Sequence, residues 1–405
     1  MLRSATIAML FLISLSGCRT ILNKDPKLVT QDYSHLIYIR DNIRKNSPIY
    51  MLAYQRLFKE AEYLINDDSD VRYARMGFPR QTEYEEDLMK QEKMNVPVSH
   101  SDLGTRPSNT FNDHVCDNDH GSYGKQLDQM VDDVTTLSMA WFYTEQERYA
   151  KEATRIICEW FLEMDKDSGP SLFRTRNNRI IYDPCDISIF DSRRYIEVLD
   201  AIYLIESSRA WNPMKTKRMK KWFSEYLEWL LSSEEGKITD GLKNHVGTWY
   251  KAMLASFGFF IHDKDLVQET IHDAMDKYLA FQIDTSGMQP IETSTSCSFN
   301  NSLSNLEAHF ILAKIGAWNQ IDYWHHDEDG KGSIKKAADY LFRYIGNMEE
   351  WPYAQVTDVD ARSMFNLVLK SQNIYHDPQY NEFIQKLFPE LRSNDRLLIS
   401  VRMDH

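Results

Sequence analysis

Apolar residues recur at three- and four-residue steps along most of this chain, and this spacing limits its fold more than any other feature. The clearest segment contains two apolar faces in succession: Val134, Leu137 and Trp141, then Ala150, Ala153, Ile157 and Trp160. Each face is typical of a helix that buries one side. Thr144 and Glu147 have the spacing of a capping box that would begin the second helix. The segment therefore predicts a helical hairpin.

The hairpin pattern returns in segment 195–230, on both sides of the polar turn at 262–265, and in segment 303–345. No alternating apolar and polar run bounded by turn residues is long enough to predict a major sheet. Hydrophobic residues make up 42% of the 405 residues, which is ample for a large core. We expect an all-α protein, either a helical solenoid or a toroid in which an outer helix follows each inner one.

The N-terminus has the features of an export signal. A single basic residue, Arg3, precedes a short apolar run that ends in small residues and Cys18. The Leu-Ser-Gly-Cys stretch that ends at Cys18 resembles the lipobox of bacterial lipoproteins, whose cysteine is lipidated. We therefore expect an exported protein, anchored by lipid to a membrane of the bacterial cell envelope (periplasm or outer membrane). The expected divisions are a signal peptide over 1–17, a linker over 18–33, the toroid domain over 34–391 and a peripheral tail over 392–405.

Export would place the remaining cysteines in a compartment where disulfides persist. A pairing of Cys116 with Cys185 is one possibility, but buried free thiols are the expectation for most of them. The net charge of −13 argues against nucleic acid as a partner. Arginines are nevertheless concentrated between Arg174 and Arg194, so this region is either a local anion-binding surface or a solvated loop of ion pairs.

Asn244 and His245 stand together where an aromatic-rich helix is predicted to begin. The positive end of the helix dipole disfavours a further positive charge on an imidazole placed there. A neutral histidine is what a general base requires at neutral pH. Taken alone, a histidine in this position is more often structural than catalytic. Trp249 falls one turn later on the same face, which adds an apolar surface beside the imidazole.

Several stretches, taken in chain order, carry a resemblance to a known family: "LDQMVDDVTTLSMAWFYTEQERYAKEATRIICEWFL", "RTRNNRI", "FDSRRYIEVLDAIYLI", "NHVGTWY", "GMQPIE", and "YWHHDEDGKGSIKKAADYLFRYI" followed by "WPYAQV". They resemble segments of the alginate lyase superfamily of polysaccharide lyases. The likeness covers roughly residues 34 to 356, and its collinearity makes it more specific than any single motif.

The resemblance implies an (α/α) toroid with a groove across one end and a metal-independent β-elimination on a uronate polymer, without a cofactor. Asn244 would hydrogen-bond the uronate carboxylate, and His245 would remove the proton at sugar C5, alone or together with a tyrosine. The residues implied to contact the acidic polysaccharide are His120, Tyr123, Arg176, Asn178, Arg193, Trp249 and Glu292. Trp249 could instead belong to the core, and Glu292 could brace a loop.

The chain departs from the family pattern in two places. After the Gln-Pro-Xaa-Glu turn the family carries an Arg and then a Tyr, whereas Thr295 and Asn301 stand near those positions here. An extra residue, Val246, separates the histidine from the following glycine. Tyr250 or Tyr123 could replace the missing phenol, although Tyr250 lies about 140° around a regular helix from His245.

Two other functions remain open from the sequence. One is a catalytically reduced homologue that binds acidic glycans. The other is a glycoside hydrolase, for which Asp117, Asp119 and Glu292 are the obvious carboxylates. The sequence "HHDED" at 325–329 has metal-ligand residue types, but a solvated loop is the expected structure there because no second cluster accompanies it.

Overall fold

The computed structural model describes residues 25–66, 122–162, 175–176, 179–180, 189–327, 330–390 and 396–400. Most of them are helical. The helices are α1 Tyr33–Arg44, α2 Pro48–Asn66, α3 Ser122–Thr144, α4 Glu147–Phe161, α5 Tyr195–Ile205, α6 Pro213–Ser232, α7 Glu234–Gly241, α8 His245–Ile261, α9 Lys264–Ala274, α10 Ala280–Gln282, α11 Pro290–Thr293, α12 Ser298–Trp318, α13 Ile334–Phe342, α14 Ala361–Tyr375 and α15 Pro378–Leu387. A π-helical turn, Met275–Leu279, joins α9 to α10, and 3₁₀ turns occur at Asp191–Arg194, Met348–Glu350, Phe388–Glu390 and Arg396–Ile399. The strands β1 Thr175–Arg176 and β2 Arg179–Ile180 pair antiparallel.

Inner and outer helices alternate along the chain. The inner helices α3, α5, α8, α12 and α14 each pack against the next, and α4, α6, α9, α13 and α15 pack outside them. This arrangement is an (α/α) toroid, which confirms the predicted fold class. The repeated hairpin pattern in the sequence therefore predicts the toroid directly, because each inner helix packs its apolar face against its outer neighbour.

The central inner helix, α8, is buried on nearly every side because helices surround it. Its apolar residues run all around the axis, as expected for a helix without a solvent face. The buried Lys251 is balanced by ion pairs of 2.5 Å with both Asp240 and Asp273. His262 ends the helix in a left-handed conformation with φ 70°, and the side chain of Asp263 then caps α9.

The predicted capping box is wrong in one respect. Thr144 is the last residue of α3, and Glu145 adopts a left-handed conformation with φ 56°. Helix α4 begins at Glu147 with Gln146 as its N-cap. The hairpin is therefore closed by a tight two-residue turn. Thr144 and Glu147 are three residues apart because they flank this turn.

The first described residues do not behave as the predicted linker. Leu28 and Val29 are buried, and the carboxylate of Asp200 on α5 accepts hydrogen bonds from the Val29 amide at 2.6 Å and the Thr30 amide at 2.8 Å. Residues 25–33 thus belong to the folded domain, because burying these amides required a partner for each of them.

The predicted peripheral tail also packs in part against the domain. Leu398 and Ile399 are buried in a cluster with α1 and α2, and the carbonyl of Ile399 accepts a hydrogen bond from the Tyr143 hydroxyl. Cys158 is a buried thiol, as expected, whereas Cys297 is disulfide-bonded. Within the described ranges, no helix has both the length and the apolar character needed to cross a bilayer.

Candidate active site

Asn244 and His245 lie at the start of α8, as the sequence predicts. Asn244 is the N-cap in an extended conformation, and His245 is the first helical residue. Among the described residues, no backbone amide in the first turn of α8 donates a capping hydrogen bond to the side chain of Asn244. Gly247 allows this first turn to approach the preceding loop, because a Cβ there would lie 2.0 Å from the carbonyl oxygen of Leu242. The local sequence thus delivers the amide and the imidazole to one end of the toroid.

Glu292 holds His245 from behind. Its Oε1 accepts a hydrogen bond from the His245 backbone amide at 2.6 Å, and its Oε2 lies 2.8 Å from Nδ1 of the imidazole. Both side chains are almost completely buried. A carboxylate accepts hydrogen bonds but does not donate them, so Nδ1 carries the proton and Nε2 of a neutral ring carries the lone pair.

This geometry corrects the expected role of Glu292 as a contact for the polysaccharide. Both carboxylate oxygens are occupied by His245, and the side chain is 1% exposed. Helix α11 begins at Pro290, whose fixed φ starts a helix well, so the Gln-Pro-Xaa-Glu turn aims Glu292 at α8. Glu292 is therefore a positioning residue for His245.

Nε2 of His245 is the unusual atom of the site. It is buried and has no hydrogen-bond partner among the residues that the structure describes. The ring of Phe190 meets the imidazole edge to face, with 5.5 Å between ring centroids. A buried polar atom without a partner costs about 1–3 kcal/mol, so its presence beside the Glu292 carboxyl group points to a chemical role.

Arg193 supplies the cation of the site. Its guanidinium carbon lies 3.9 Å from the centroid of the Phe190 ring and 5.8 Å from that of Trp249. Burial lowers the pKa of Arg193, and the nearby Arg194 cation lowers it further, while Asp191, Glu307 and Asp128 oppose the change. Asp191 is 4.0 Å away, at the limit of an ion pair. A half-buried guanidinium balanced this loosely is suited to an anionic ligand.

The neighbouring Arg194 behaves differently. It is ion-paired with Asp128, Asp132 and Glu197 at 2.6 to 2.8 Å. The arginine-rich segment therefore contains a saturated ion-pair network at Arg194 and a loosely balanced guanidinium at Arg193.

Trp249 lies beside the candidate site and exposes little of its ring surface. Its side chain is 6% exposed, and its indole nitrogen donates to Ser304 Oγ at 2.9 Å. The hydrogen bond fixes the plane of the ring beside Arg193. Contact with a sugar would involve the edge of Trp249 that remains accessible.

Tyr250 is not placed for proton transfer. Its hydroxyl donates a hydrogen bond of 2.7 Å to the carbonyl of Leu230 on the outer helix α6, and the side chain is buried. Burial raises the pKa of Tyr250, and the negative charge of Asp240 adds to that effect. Tyr250 therefore does not replace the family's tyrosine, because its phenol packs α8 against α6.

The two residues that depart from the family pattern, Thr295 and Asn301, belong to one small hydrogen-bond network. Asn301 donates to Thr295 Oγ1 at 3.0 Å, and that hydroxyl donates to the carbonyl of Glu292 at 2.7 Å. Both side chains are buried. Thr295 and Asn301 thus brace the turn that carries Glu292 and do not supply the cation and phenol found there in the family pattern.

The structure describes only some of the remaining predicted site residues. Tyr123 lies in the first turn of α3, and Arg176 lies in β1. His120, Asn178 and Cys18 lie outside the described residues. The described ranges hold no group of three or more His, Cys, Asp or Glu side chains that could bind a metal. His325 is exposed and hydrogen-bonds Asp322 at 2.9 Å.

Sequence reasoning missed Phe190, Ser304 and the polar side chains behind α8, among them the buried Gln282 and His309. Phe190 immediately precedes the Asp-Ser-Arg-Arg turn, and an aromatic beside an arginine is a weak signal for stacking. Gln282 and His309 interrupt apolar helix faces, which is a better signal, because buried polar groups require partners.

Comparisons with known proteins agree with the toroid fold. The family described as "Alginate lyase" matches residues 77–351. An alginate lyase from Bacteroides ovatus superposes with a TM-score of 0.72 at 20% identity, over 94% of this chain and 100% of that one. Alginate lyase A1-III from Sphingomonas species A1 superposes with a TM-score of 0.52 at 14% identity, over 69% of this chain and 77% of that one. A variant of A1-III complexed with a tetrasaccharide gives a TM-score of 0.52 at 15% identity, over 69% and 77% of the two chains. No curated protein sequence matches the chain.

Proposed function

This chain belongs to the alginate lyase family, and on that premise we propose that it is a polysaccharide lyase that cleaves a uronate polymer, of the alginate or glucuronan type, by β-elimination. The observation that carries the proposal is the buried pair of His245 and Glu292, which leaves Nε2 of the imidazole without a described partner. The tetrasaccharide complex of A1-III supports an oligosaccharide as the ligand class.

The substrate carboxylate is assigned to Asn244 and Arg193. A uronate is a poor acid at C5 because proton removal places a second negative charge beside the carboxylate. Hydrogen bonds from the Asn244 amide and the Arg193 guanidinium would spread that charge as it develops. Asn244 directly precedes His245 at the start of α8, and Arg193 stacks on the Phe190 ring that also contacts the imidazole, which supports this role.

His245 is assigned as the base. Its Nε2 lone pair takes the proton from C5, and the electron pair of that bond moves toward the carboxylate to form an enolate-like anion. Glu292 accepts the Nδ1 proton in a hydrogen bond and stabilises the imidazolium that results, without taking its proton. The electrons then form the C4–C5 double bond as the bond to the glycosidic oxygen at C4 breaks.

The departing oxygen needs a proton, and we assign the donor to the same imidazolium. Tyr250 is committed to Leu230 and Asn301 to Thr295, so neither supplies this proton. One residue can remove the C5 proton and deliver it to O4 only when both lie on the same face of the sugar. D-mannuronate and D-glucuronate have that arrangement, whereas the C5 epimer L-guluronate does not. The proposal therefore favours mannuronate- or glucuronate-rich polymers.

The catalytically reduced homologue is the second candidate. It is favoured by one observation, the closed network of Asn301 and Thr295 where the family pattern has a tyrosine and an arginine. A glycoside hydrolase is less well supported, because it needs two opposed carboxylates about 5 to 10 Å apart and both oxygens of Glu292 are held by His245.

The test is a product assay on a panel of polyuronates. Elimination leaves a conjugated unsaturated uronate, so ultraviolet absorbance should rise with wild-type protein. His245→Ala should reduce the rate by about 10²- to 10⁴-fold, the usual contribution of a general base. His325→Ala is the matched control, because that imidazole is exposed on a loop.

The outcomes separate the candidates. New reducing ends without the chromophore would indicate a hydrolase and overturn the elimination. Retarded migration in affinity electrophoresis without any product would indicate the reduced homologue. Equal loss of activity in His245→Ala and His325→Ala would remove His245 from its assigned role.

We further propose that the protein is exported and lipid-anchored in the cell envelope through Cys18. The support is the lipobox-like sequence before Cys18. Fatty-acid labelling of the wild type, lost in Cys18→Ser, is the expected result, and labelling that persists in the variant would contradict it.

A further inference from the structure

A chain of buried polar side chains lies behind the start of α8. Gln282, in the short helix α10, donates from Nε2 to the carbonyl of Asn244 at 3.1 Å and to Thr248 Oγ1 at 2.8 Å. Gln282 is 2% exposed and Thr248 is fully buried. The two contacts fix the N-cap and the first turn of the helix that presents His245.

His309 is the next member of the chain. Its Nε2 lies 3.0 Å from Gln282 Oε1, and its Nδ1 lies 2.7 Å from the hydroxyl of Tyr323. Neither His309 nor Tyr323 is accessible to solvent. Because the amide nitrogen of Gln282 faces Asn244, its oxygen faces His309, so His309 must donate from Nε2 and accept at Nδ1.

The surroundings keep this imidazole neutral. Burial lowers the pKa of His309 to about 3. Tyr323 is the titratable side chain in hydrogen-bond contact with it among the described residues, and burial raises the pKa of Tyr323 well above its usual value. The hydrogen-bond directions from Tyr323 to Asn244 therefore do not change near neutral pH.

The same network reaches the turn that carries Glu292. Asn305 Nδ2 lies 3.2 Å from Gln282 Oε1 and 2.9 Å from Gln289 Oε1. Gln289 is the N-cap of α11, the helix that contains Glu292, and it donates to the carbonyl of Ser302 at 3.1 Å. One set of side chains thus joins the element that carries the imidazole to the element that carries its carboxylate partner.

We propose that His309 is a positioning residue for the proposed lyase reaction, acting through Gln282 on Asn244 and the first turn of α8. The proposal rests on the proposed function, since it concerns the geometry of the same site. A leucine could fill the space without any hydrogen-bonding requirement, so simple packing does not account for a satisfied polar chain here. Second layers of this kind keep reacting groups within about 0.5 Å of their working geometry.

The activity experiment compares His309→Leu with His309→Gln. Glutamine can place an amide N–H near the position of the imidazole Nε2 and so keep the donor to Gln282, whereas leucine cannot. We expect His309→Leu to lower kcat by roughly 10- to 100-fold with little change in KM, because misplacement by about 1 Å is felt mainly at the transition state. We expect His309→Gln to recover most of that loss.

Two measurements do not depend on activity. Nitrogen-15 NMR of the wild type should show His309 as the Nε2–H tautomer without titration between about pH 5 and 8. Amide exchange at Thr248, whose N–H bonds the carbonyl of Asn244 at 3.2 Å, should accelerate in His309→Leu and not in His309→Gln. Both measurements can be made on the folded protein even if it cleaves no polyuronate. Failure of the proposed function is therefore distinguishable from failure of the role proposed for His309.

Three results would overturn the proposal. The first is an Nδ1–H tautomer or a titration of His309 near neutral pH in the wild type. The second is unchanged kcat in His309→Leu. The third is a loss of kcat that is equal in His309→Leu and His309→Gln and that follows their melting temperatures, while the amide of Thr248 exchanges at the wild-type rate. If His309→Leu fails to fold, the wild-type tautomer and the kcat of His309→Gln decide the question.

Discussion

Glu292→Gln isolates the contribution of the carboxylate behind His245. The substitution keeps the size and shape of the side chain but replaces one of its two acceptor oxygens with an amide donor. Glu292 now accepts from the His245 amide at 2.6 Å and from Nδ1 at 2.8 Å, so glutamine can satisfy only one of these donors. If the amide group turns toward Nδ1, the imidazole must place its proton on Nε2 and loses the lone pair that the reaction needs.

The expected magnitude follows from these contacts. A hydrogen bond to a charged group contributes about 1.5–3 kcal/mol, which is roughly 10- to 150-fold in rate if it is lost only in the transition state. Inversion of the tautomer raises the loss, since an amide in place of a histidine's carboxylate partner lowers kcat by about 10⁴ in the serine protease triad. We therefore expect kcat of Glu292→Gln to fall by about 10²- to 10⁴-fold, with KM changing much less.

The assay is initial-rate formation of the unsaturated product, with thermal unfolding to confirm that the variant is folded. Glu350→Gln, a change at an exposed position in the Met348–Glu350 turn, is the matched control and should keep the wild-type rate. A folded Glu292→Gln protein that retains more than about one tenth of the wild-type kcat would refute the assignment of Glu292 as the partner of a catalytic base.

Arg193→Lys should reduce kcat/KM by about 10- to 100-fold, because an ammonium cannot reproduce two parallel hydrogen bonds to a carboxylate. Arg343→Lys is the matched control and should leave kcat/KM unchanged, since it too removes a guanidinium stacked on an aromatic ring, that of Tyr340. Equal effects on kcat/KM would refute a carboxylate contact at Arg193. Tyr250→Phe should keep the rate within about twofold and lower the free energy of unfolding by about 1 kcal/mol through the lost bond to Leu230; a rate loss above tenfold would restore Tyr250 as a proton donor. Burial lowers the pKa of Lys314 from 10.5 to about 8, so between these pH values the unfolded chain binds more protons and the free energy of unfolding should rise with pH. Urea unfolding at the two pH values should show a smaller rise in Lys314→Met, and an undiminished rise would contradict that origin.

The sequence predicts the toroid well because its signal is repeated. Each inner helix and its outer neighbour carry the same three- and four-residue spacing, and errors at one turn, such as the one at Thr144 and Glu145, leave the hairpin intact. The position of His245 at the first turn of α8 follows from the same logic, since a break and an aromatic-rich helix flank it.

The partners of His245 are less predictable because they come from distant parts of the chain. Glu292 lies 47 residues away, and nothing in the local sequence shows that both its oxygens turn toward α8. Tyr250 has the residue type of a proton donor, but its hydroxyl follows the helix face that packs on α6. Chemistry that depends on the direction of a side chain requires coordinates, whereas chemistry that depends on a helix start does not.

The terminal segments show the same limit. The sequence predicts a linker that includes Leu28 and Val29, yet both side chains are buried and the Asp200 carboxylate accepts a hydrogen bond from the Val29 amide. A buried aspartate in the middle of the apolar helix α5 was the available signal, since such a group requires donors from elsewhere in the chain.

The most direct test of the account is a crystal structure of His245→Ala with a bound uronate tetrasaccharide. The account predicts one sugar carboxylate within hydrogen-bond distance of the side chains of Asn244 and Arg193, with C5 and the glycosidic O4 of that sugar facing the space left by the imidazole. A tetrasaccharide bound with its C5 hydrogen turned away from that space, or held at another surface while Arg193 still stacks on Phe190, would contradict it.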